Sequence, residues 1–190
     1  MIRNNLAIIL AERQIKITKV SNDTGISRTT LTALVQNSSK MVQIETVNKI
    51  CLYLDLTTND FFSFIPLDVY FNVYLGDIDQ DQYNATHLIE YGLTGFMNIE
   101  TKQKKFILPL VGSFINAGPA FKDAKNSQLY CSMKLKDKKD LSILGKYIDP
   151  LSTAFKIDIQ NNLISALDNE IQEDSKNDEI TFTNGIFKTN

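Results

Sequence analysis

The sequence predicts an α+β protein in two parts. Residues 1–65 read as an all-α domain of five short helices, and residues 67–190 as an α+β domain with a mainly antiparallel sheet. Three observations predict this. Up to residue 65, apolar residues recur three or four apart, the period of amphipathic helices. Beyond Pro66 they alternate with polar residues, the period of half-buried strands. From Leu141 the helical period returns, so strands precede helices without interleaving, as in a sheet with helices on one side.

The elements follow in order. Ile2, Leu6, Ile9 and Leu10 form an apolar stripe on a first helix ending near Gln14. Val20 and Thr24 share one side of a short second helix. Gly25 can stop it in the left-handed conformation at no steric cost. Ile26 is placed to plug the space behind the turn, and Ser27 is a good N-cap for the next helix, Arg28 to Val35. On that helix Leu31, Leu34 and Val35 face inward, while Arg28, Thr29, Thr32 and Ala33 fall on the other side. Asn37 tolerates the left-handed conformation and is the expected stop. Ile44, Val47, Ile50, Cys51 and Leu54 make a further stripe. Thr57 or Thr58 can cap a last short helix carrying Phe61 and Phe62. Five such helices are enough for a modest core.

Two short helices around a tight glycine turn, the second with a polar outer face, suit a helix-turn-helix that enters the major groove of DNA. On these residues the segment 1–65 resembles the DNA-binding domain of the Cro/repressor (Xre-like) family. The resemblance rests on the Leu6–Arg13 helix, the Thr24-Gly25-Ile26-Ser27 turn, Leu31 and Leu34, and the Leu54-Asp55-Leu56-Thr57 ending. It implies a DNA-binding surface of Arg28, Thr29, Thr30, Thr32 and Ala33, with Arg28, Thr29, Thr32 and Ala33 at the base-reading positions. It further implies that Lys16, Thr18 and Lys19, together with Asn37, Ser38, Ser39 and Lys40, lie along phosphates. The chain departs from the family where Gln is common at the start of both motif helices. Here those places hold Ile17 or Thr18 and Arg28 or Thr29. Ser21 replaces a frequent Ala, and Val35-Gln36-Asn37 replaces a frequent Glu-x-Gly. The family's operator sequences therefore do not carry over.

Charge refines this expectation. All three arginines, Arg3, Arg13 and Arg28, fall in the first 28 residues. Residues 1–66 hold 7 basic and 5 acidic groups, residues 67–190 hold 13 and 17, and the whole chain is at −2. Charge alone cannot give strong nucleic-acid binding here. Affinity for double-stranded DNA must come from local placement and from two copies acting together. A homodimer on a palindromic operator is the expected arrangement.

In the second half, Asp68 to Leu75, His87 to Ile99, Lys104 to Phe114 and Leu129 to Leu135 read as strands, the middle two joined around Thr101-Lys102-Gln103. Leu141, Leu144, Tyr147 and Ile148 suggest a short helix ended by Asp149-Pro150. Leu151 to Ile171 suggests a longer one, with Phe155, Ile159, Leu163 and Leu167 four residues apart. Ile180 to Phe187 reads as a strand pair around Asn184-Gly185, a strong hairpin dipeptide. No family resemblance is evident in this half.

Chemistry-bearing groupings are thin, and neither an enzyme nor a cofactor is expected. His87, the one histidine, reads as an ordinary surface or edge residue. Asp77-Ile78-Asp79-Gln80-Asp81 starts like a calcium loop, but Gln82 and Leu88 stand where glycine and glutamate are required. Ala117-Gly118 and Ser132 lack the context of a self-cleaving repressor. Cys51 and Cys131 sit at apolar positions and read as buried thiols. With no leader segment and no run near the ~20 apolar residues that span a bilayer, the protein is expected in the cytoplasm, bacterial or phage in type, with no membrane partner.

Two purposes for residues 67–190 stay open. One is dimerisation or ligand sensing in a repressor. The other is a phage-type bifunctional protein whose second half binds and inhibits a host protein such as a CRISPR nuclease, with the acidic stretch Asp168 to Glu179 as its surface. A contiguous, self-complementary apolar patch favours the first.

Overall fold

The computed structural model describes residues 1–39, 41–78, 89–116, 129–171 and 180–184. The chain divides into two compact units, Met1–Pro66 and Leu67–Asn190.

The first unit holds β1 (Ile2–Asn4), α1 (Leu6–Glu12), α2 (Ile17–Thr24), α3 (Arg28–Val35), α4 (Ile44–Leu54), α5 (Thr58–Phe61) and β2 (Phe62–Phe64). The five helices are those expected, and Leu6, Val20, Leu31, Ile50, Leu54 and Phe61 anchor their common core. The two strands were not legible from the apolar period. They pair antiparallel, with Ile2 opposite Phe64 and Asn4 opposite Phe62. Ile2 is therefore not on the first helix, and it is 70% exposed. The Asn4 side chain accepts a hydrogen bond from the Leu6 N–H at 3.0 Å, and Asn5, the residue between them, is the N-cap of the helix. The helix also ends sooner than expected: its last residue is Glu12, and Gln14 has φ 54°. Phe62 likewise leaves the last helix for β2, while Phe61 stays buried.

The helix ends are specified locally. Thr57 and Asp60 form a capping box at the start of α5, and the paired Thr57 holds the Asp60 carboxyl below its ordinary range. At the end of α4, Asp55 takes φ 49° and the Arg13 guanidinium donates to the Leu54 carbonyl.

The second unit holds β3 (Leu67–Ile78), β4 (Ile89–Thr101), β5 (Lys105–Asn116), β6 (Leu129–Leu135), a 3-10 turn (Lys138–Asp140), α6 (Leu141–Tyr147), α7 (Thr153–Ile171) and β7 (Ile180–Asn184). The five strands form one sheet in the order β3-β4-β5-β6-β7. The first three pairings are antiparallel, as expected. β7 differs. It lies beside β6 and runs parallel to it. The chain leaves β6, passes through α6 and α7, and re-enters the sheet from the same end, which is what a parallel neighbour requires.

One face of the sheet is the core. Val69, Phe71 and Val73 on β3 are buried, as are Phe155, Ile159, Leu163 and Leu167 of α7. α7 also reaches two backbone groups of β3. Asn162 Nδ2 donates to the Val69 carbonyl at 3.4 Å, and Glu170 Oε1 accepts from the Leu75 N–H at 3.3 Å.

Cys51 and Cys131 are free and buried, and they lie in different units. Burial pushes the Cys131 thiol up to about 12, so it is not a thiolate at neutral pH. Among the described residues no helix is long and apolar enough to cross a membrane, and no group of three or more His, Cys, Asp or Glu is placed to hold a metal. His87, residues 79–81, Ala117-Gly118, residues 172–179 and residues 185–187 lie outside the described residues.

Candidate nucleic-acid interface

The α2–turn–α3 unit is held by its own side chains. Gly25 ends α2 at φ 73°, and its N–H donates to the Ser21 carbonyl at 3.0 Å. A Cβ there would meet nothing within 4 Å, so the glycine serves the backbone angle and not a close approach. The Ser21 hydroxyl donates to the Ile26 carbonyl at 2.7 Å, and the Thr24 hydroxyl donates to the Val20 carbonyl at 2.6 Å. Ser21, a departure from the family pattern, thus ties α2 to the turn. Ile26 is buried behind it. Ser27 caps α3, its hydroxyl accepting from the Thr30 N–H at 3.1 Å.

With Leu31 and Leu34 buried, the helical period turns Thr29 directly outward, flanked by Thr32 and Ala33, with Arg28 and Thr30 further round. Arg28, Thr29 and Thr30 are exposed, and Thr32 and Ala33 are half-buried. The Thr30 hydroxyl lies 2.8 Å from that of Ser27, so part of its hydrogen-bonding capacity serves the cap. Thr30 and Ser39 line one groove beside α3, along with Ser27 and Gln43.

At the start of α2, Lys16 is the N-cap and contributes no side-chain bond. The first N–H groups of that helix are left for an anion or water. Lys16, Thr18 and Lys19 line one shallow depression.

One of the expected contact residues is also used within the fold. Asn37 adopts the left-handed conformation as anticipated, at φ 52°. Its side chain, however, turns inward to Asn4. Asn37 Oδ1 accepts from the Asn4 N–H at 2.9 Å and from Asn4 Nδ2 at 2.8 Å, and Asn37 Nδ2 donates to the Asn4 carbonyl at 3.1 Å. Its N–H donates to the Leu34 carbonyl. Asn37 therefore fixes the end of α3 to β1 and has little left for a phosphate. Asn4, missed by reasoning from periodicity, is buried and also donates to the Leu34 carbonyl at 2.8 Å. Ser38 N–H and hydroxyl both reach the Ala33 carbonyl, which leaves Ser39 the freer of the two serines. Lys40 lies outside the described residues.

The available positive charge is smaller than a count suggests. Arg3 is buried and bonded to Asn5. Arg13 is spent on the end of α4. Lys49 pairs with Glu45, and Lys19 with Asp23, each at 3.0 Å. Among the described residues of this unit, Arg28 and Lys16 are the cations with no protein partner.

The Lys19–Asp23 pair extends to α4, where the Tyr53 hydroxyl donates to Asp23 Oδ2 at 2.6 Å. Tyr53 and then Lys19 hold the Asp23 carboxyl below its ordinary 3.8. Because the folded value is the lower one, this contribution to stability is present above pH 3.8 and is lost as pH falls through the folded value. Tyr53→Phe should raise the Asp23 titration midpoint towards 3.8, as read by carboxyl-carbon NMR. An unmoved midpoint would show that the hydroxyl does not reach Asp23 in solution.

The geometry is that of a helix-turn-helix unit: a capped second helix with a polar outer face, set against an N-terminally open first helix. Residues 5–66 match the family model of the Cro/C1-type HTH DNA-binding domain, which supports a DNA-binding transcription regulator. No curated protein and no solved structure matches the chain.

Proposed function

We propose that the protein is a sequence-specific repressor of bacterial or phage type, acting in the cytoplasm as a homodimer on a palindromic operator. α3 would lie in the major groove. Arg28 would make a bidentate contact to a guanine, Thr29 and Thr32 would meet base edges or a thymine methyl, and Ala33 would offer an apolar contact. Lys16, Thr18 and Lys19 at the start of α2, with Ser39 beyond α3, would face phosphates. The observation that carries this reading is the unpaired Arg28 on the first turn of a helix secured at both ends, by the Ser27 cap and by the Asn4–Asn37 bridge.

The same inventory supports a dimer. The two unpartnered cations among the described residues of the unit can neutralise few phosphates, and the salt-dependent part of affinity scales with the number neutralised. A second copy doubles that number and adds a second set of base contacts. Selection of bound duplexes from random DNA, with the full-length protein, should return two inverted half-sites about one helical turn apart. Recovery of a single unrepeated site would remove the dimeric reading, and recovery of no preferred sequence would remove the sequence-specific one.

A further inference from the structure

Among the described residues that line the depression at the start of α2, Asp23 is the one carboxylate. Its Oδ2 accepts from Lys19 Nζ at 3.0 Å and from the Tyr53 hydroxyl at 2.6 Å. Tyr53 is half-buried on α4 and packs against the core of the unit, so the carboxylate is fixed from a second helix. Oδ1 takes no hydrogen bond from a described residue. The side chains of Lys19 and Asp23 remain 65% and 37% exposed. α2 by itself does not favour this arrangement. Asp23 lies in its last turn, where the helix dipole disfavours a negative charge. A lysine four residues before the acid is also the weaker order for such a pair, and an exposed pair adds little to stability. The Tyr53 bond is what keeps the carboxylate beside Lys19. DNA phosphates present acceptor oxygens, so they offer nothing to the unpaired Oδ1.

We infer that Asp23, anchored by Tyr53, is a brake on phosphate binding: it neutralises Lys19 on the surface that meets DNA and limits the sequence-independent part of affinity. The inference rests on the DNA-binding reading above and adds what restrains it. Asp23 offsets one of the two ammonium groups of the depression, those of Lys16 and Lys19. Affinity for a duplex rises with each phosphate neutralised, through release of condensed counterions, and the slope of log K against log salt steepens by about 0.9 for each. A lysine already paired with a carboxylate adds little to that number. The opposite role, in which the carboxylate aims Lys19 at a phosphate, needs an acid set behind the ammonium. Asp23 instead is solvent-exposed and lines the same depression as Lys19.

The test is equilibrium binding of the full-length protein to the selected duplex and to an unrelated one, across a salt series. The proteins are wild type, Asp23→Asn, and Asp23→Asn combined with Lys19→Ala. Circular dichroism checks folding, and Asp23→Ala serves if Asp23→Asn does not fold. The expected result is tighter binding by Asp23→Asn on both duplexes, about 8-fold per half-site at about 0.1 M salt, the worth of one more counterion released. The salt slope should steepen by about 0.9 per half-site, and the preference between duplexes should stay as in wild type. The double variant should return near wild type, because the gain belongs to Lys19. Unchanged or weaker binding by folded Asp23→Asn overturns the brake, and so does a gain that the double variant keeps. Either result, with the wild-type preference for the selected duplex intact, leaves the reading of α3 standing. A wild type that binds the two duplexes alike removes sequence-specific reading, and the salt slopes then decide the brake. A wild type that binds neither duplex overturns both.

Discussion

Asn37→Ala is expected to cost the first unit about 2–5 kcal/mol, from two sources. Alanine in the left-handed conformation costs about 1–2 kcal/mol. The lost amide leaves the buried Asn4 short of partners, at about 1–3 kcal/mol for unsatisfied donors. The unit has 66 residues, and at roughly 0.05–0.15 kcal/mol per residue its whole stability is about 3–10 kcal/mol. Urea unfolding of the Met1–Pro66 unit should therefore shift strongly, and DNA binding should fail through loss of the α3 anchor. Asn37→Gly separates the two sources, since it removes the backbone strain and keeps the hydrogen-bond loss. It should recover about 1–2 kcal/mol. A change below about 0.5 kcal/mol for Asn37→Ala, the range of ordinary surface positions, would show that the bridge to Asn4 does not hold α3.

Gly112→Ala should be equally damaging in the second unit. Gly112 on β5 pairs with Met133 on β6. A Cβ built there would lie 1.9 Å from the Ser132 carbonyl oxygen and 2.9 Å from Met133 Cα. Both are backbone atoms of the neighbouring strand, so no side chain can swing aside. β5 and β6 must part or shift, at about 3 kcal/mol or more, the upper range for overpacking a well-filled interior. Thermal unfolding followed by the circular dichroism of the sheet should show the loss. A melting curve unchanged from wild type would mean that β6 is not seated as close as the register requires.

The legible and illegible parts of the fold divide on physical grounds. Ser27, Gly25 and Asn37 were readable because caps and left-handed residues are local requirements, written at the position where they act. The strands β3 to β6 and the stripe Phe155, Ile159, Leu163 and Leu167 were readable because one buried face imposes a period. The Asn4–Asn37 bridge was not, since it joins polar residues 33 apart in sequence and buried polar pairs leave no periodic trace. The direction of β7 was hidden for a related reason. Strand direction is set by the route of the crossover, and Asn184-Gly185 suggested only the local turn. Charge counting gave the sign of the first unit correctly but overstated its reach. Nothing in composition tells that Arg3 is buried and that Arg13 is held at the end of α4, while Arg28 is left outward.

That last distinction makes Arg28 the residue on which the functional account depends. The decisive measurement compares wild type with Arg28→Ala on the selected duplex, and on duplexes changed one base pair at a time, at a single salt concentration. The side chain makes no hydrogen bond or ion pair with another described residue and is exposed, so the fold should be unaffected. Affinity should fall about 5–150-fold per half-site, the equivalent of about 1–3 kcal/mol, and preference should flatten at one base pair in each half-site. Unchanged affinity together with an unchanged base preference would contradict the assignment of α3 as the helix that reads DNA.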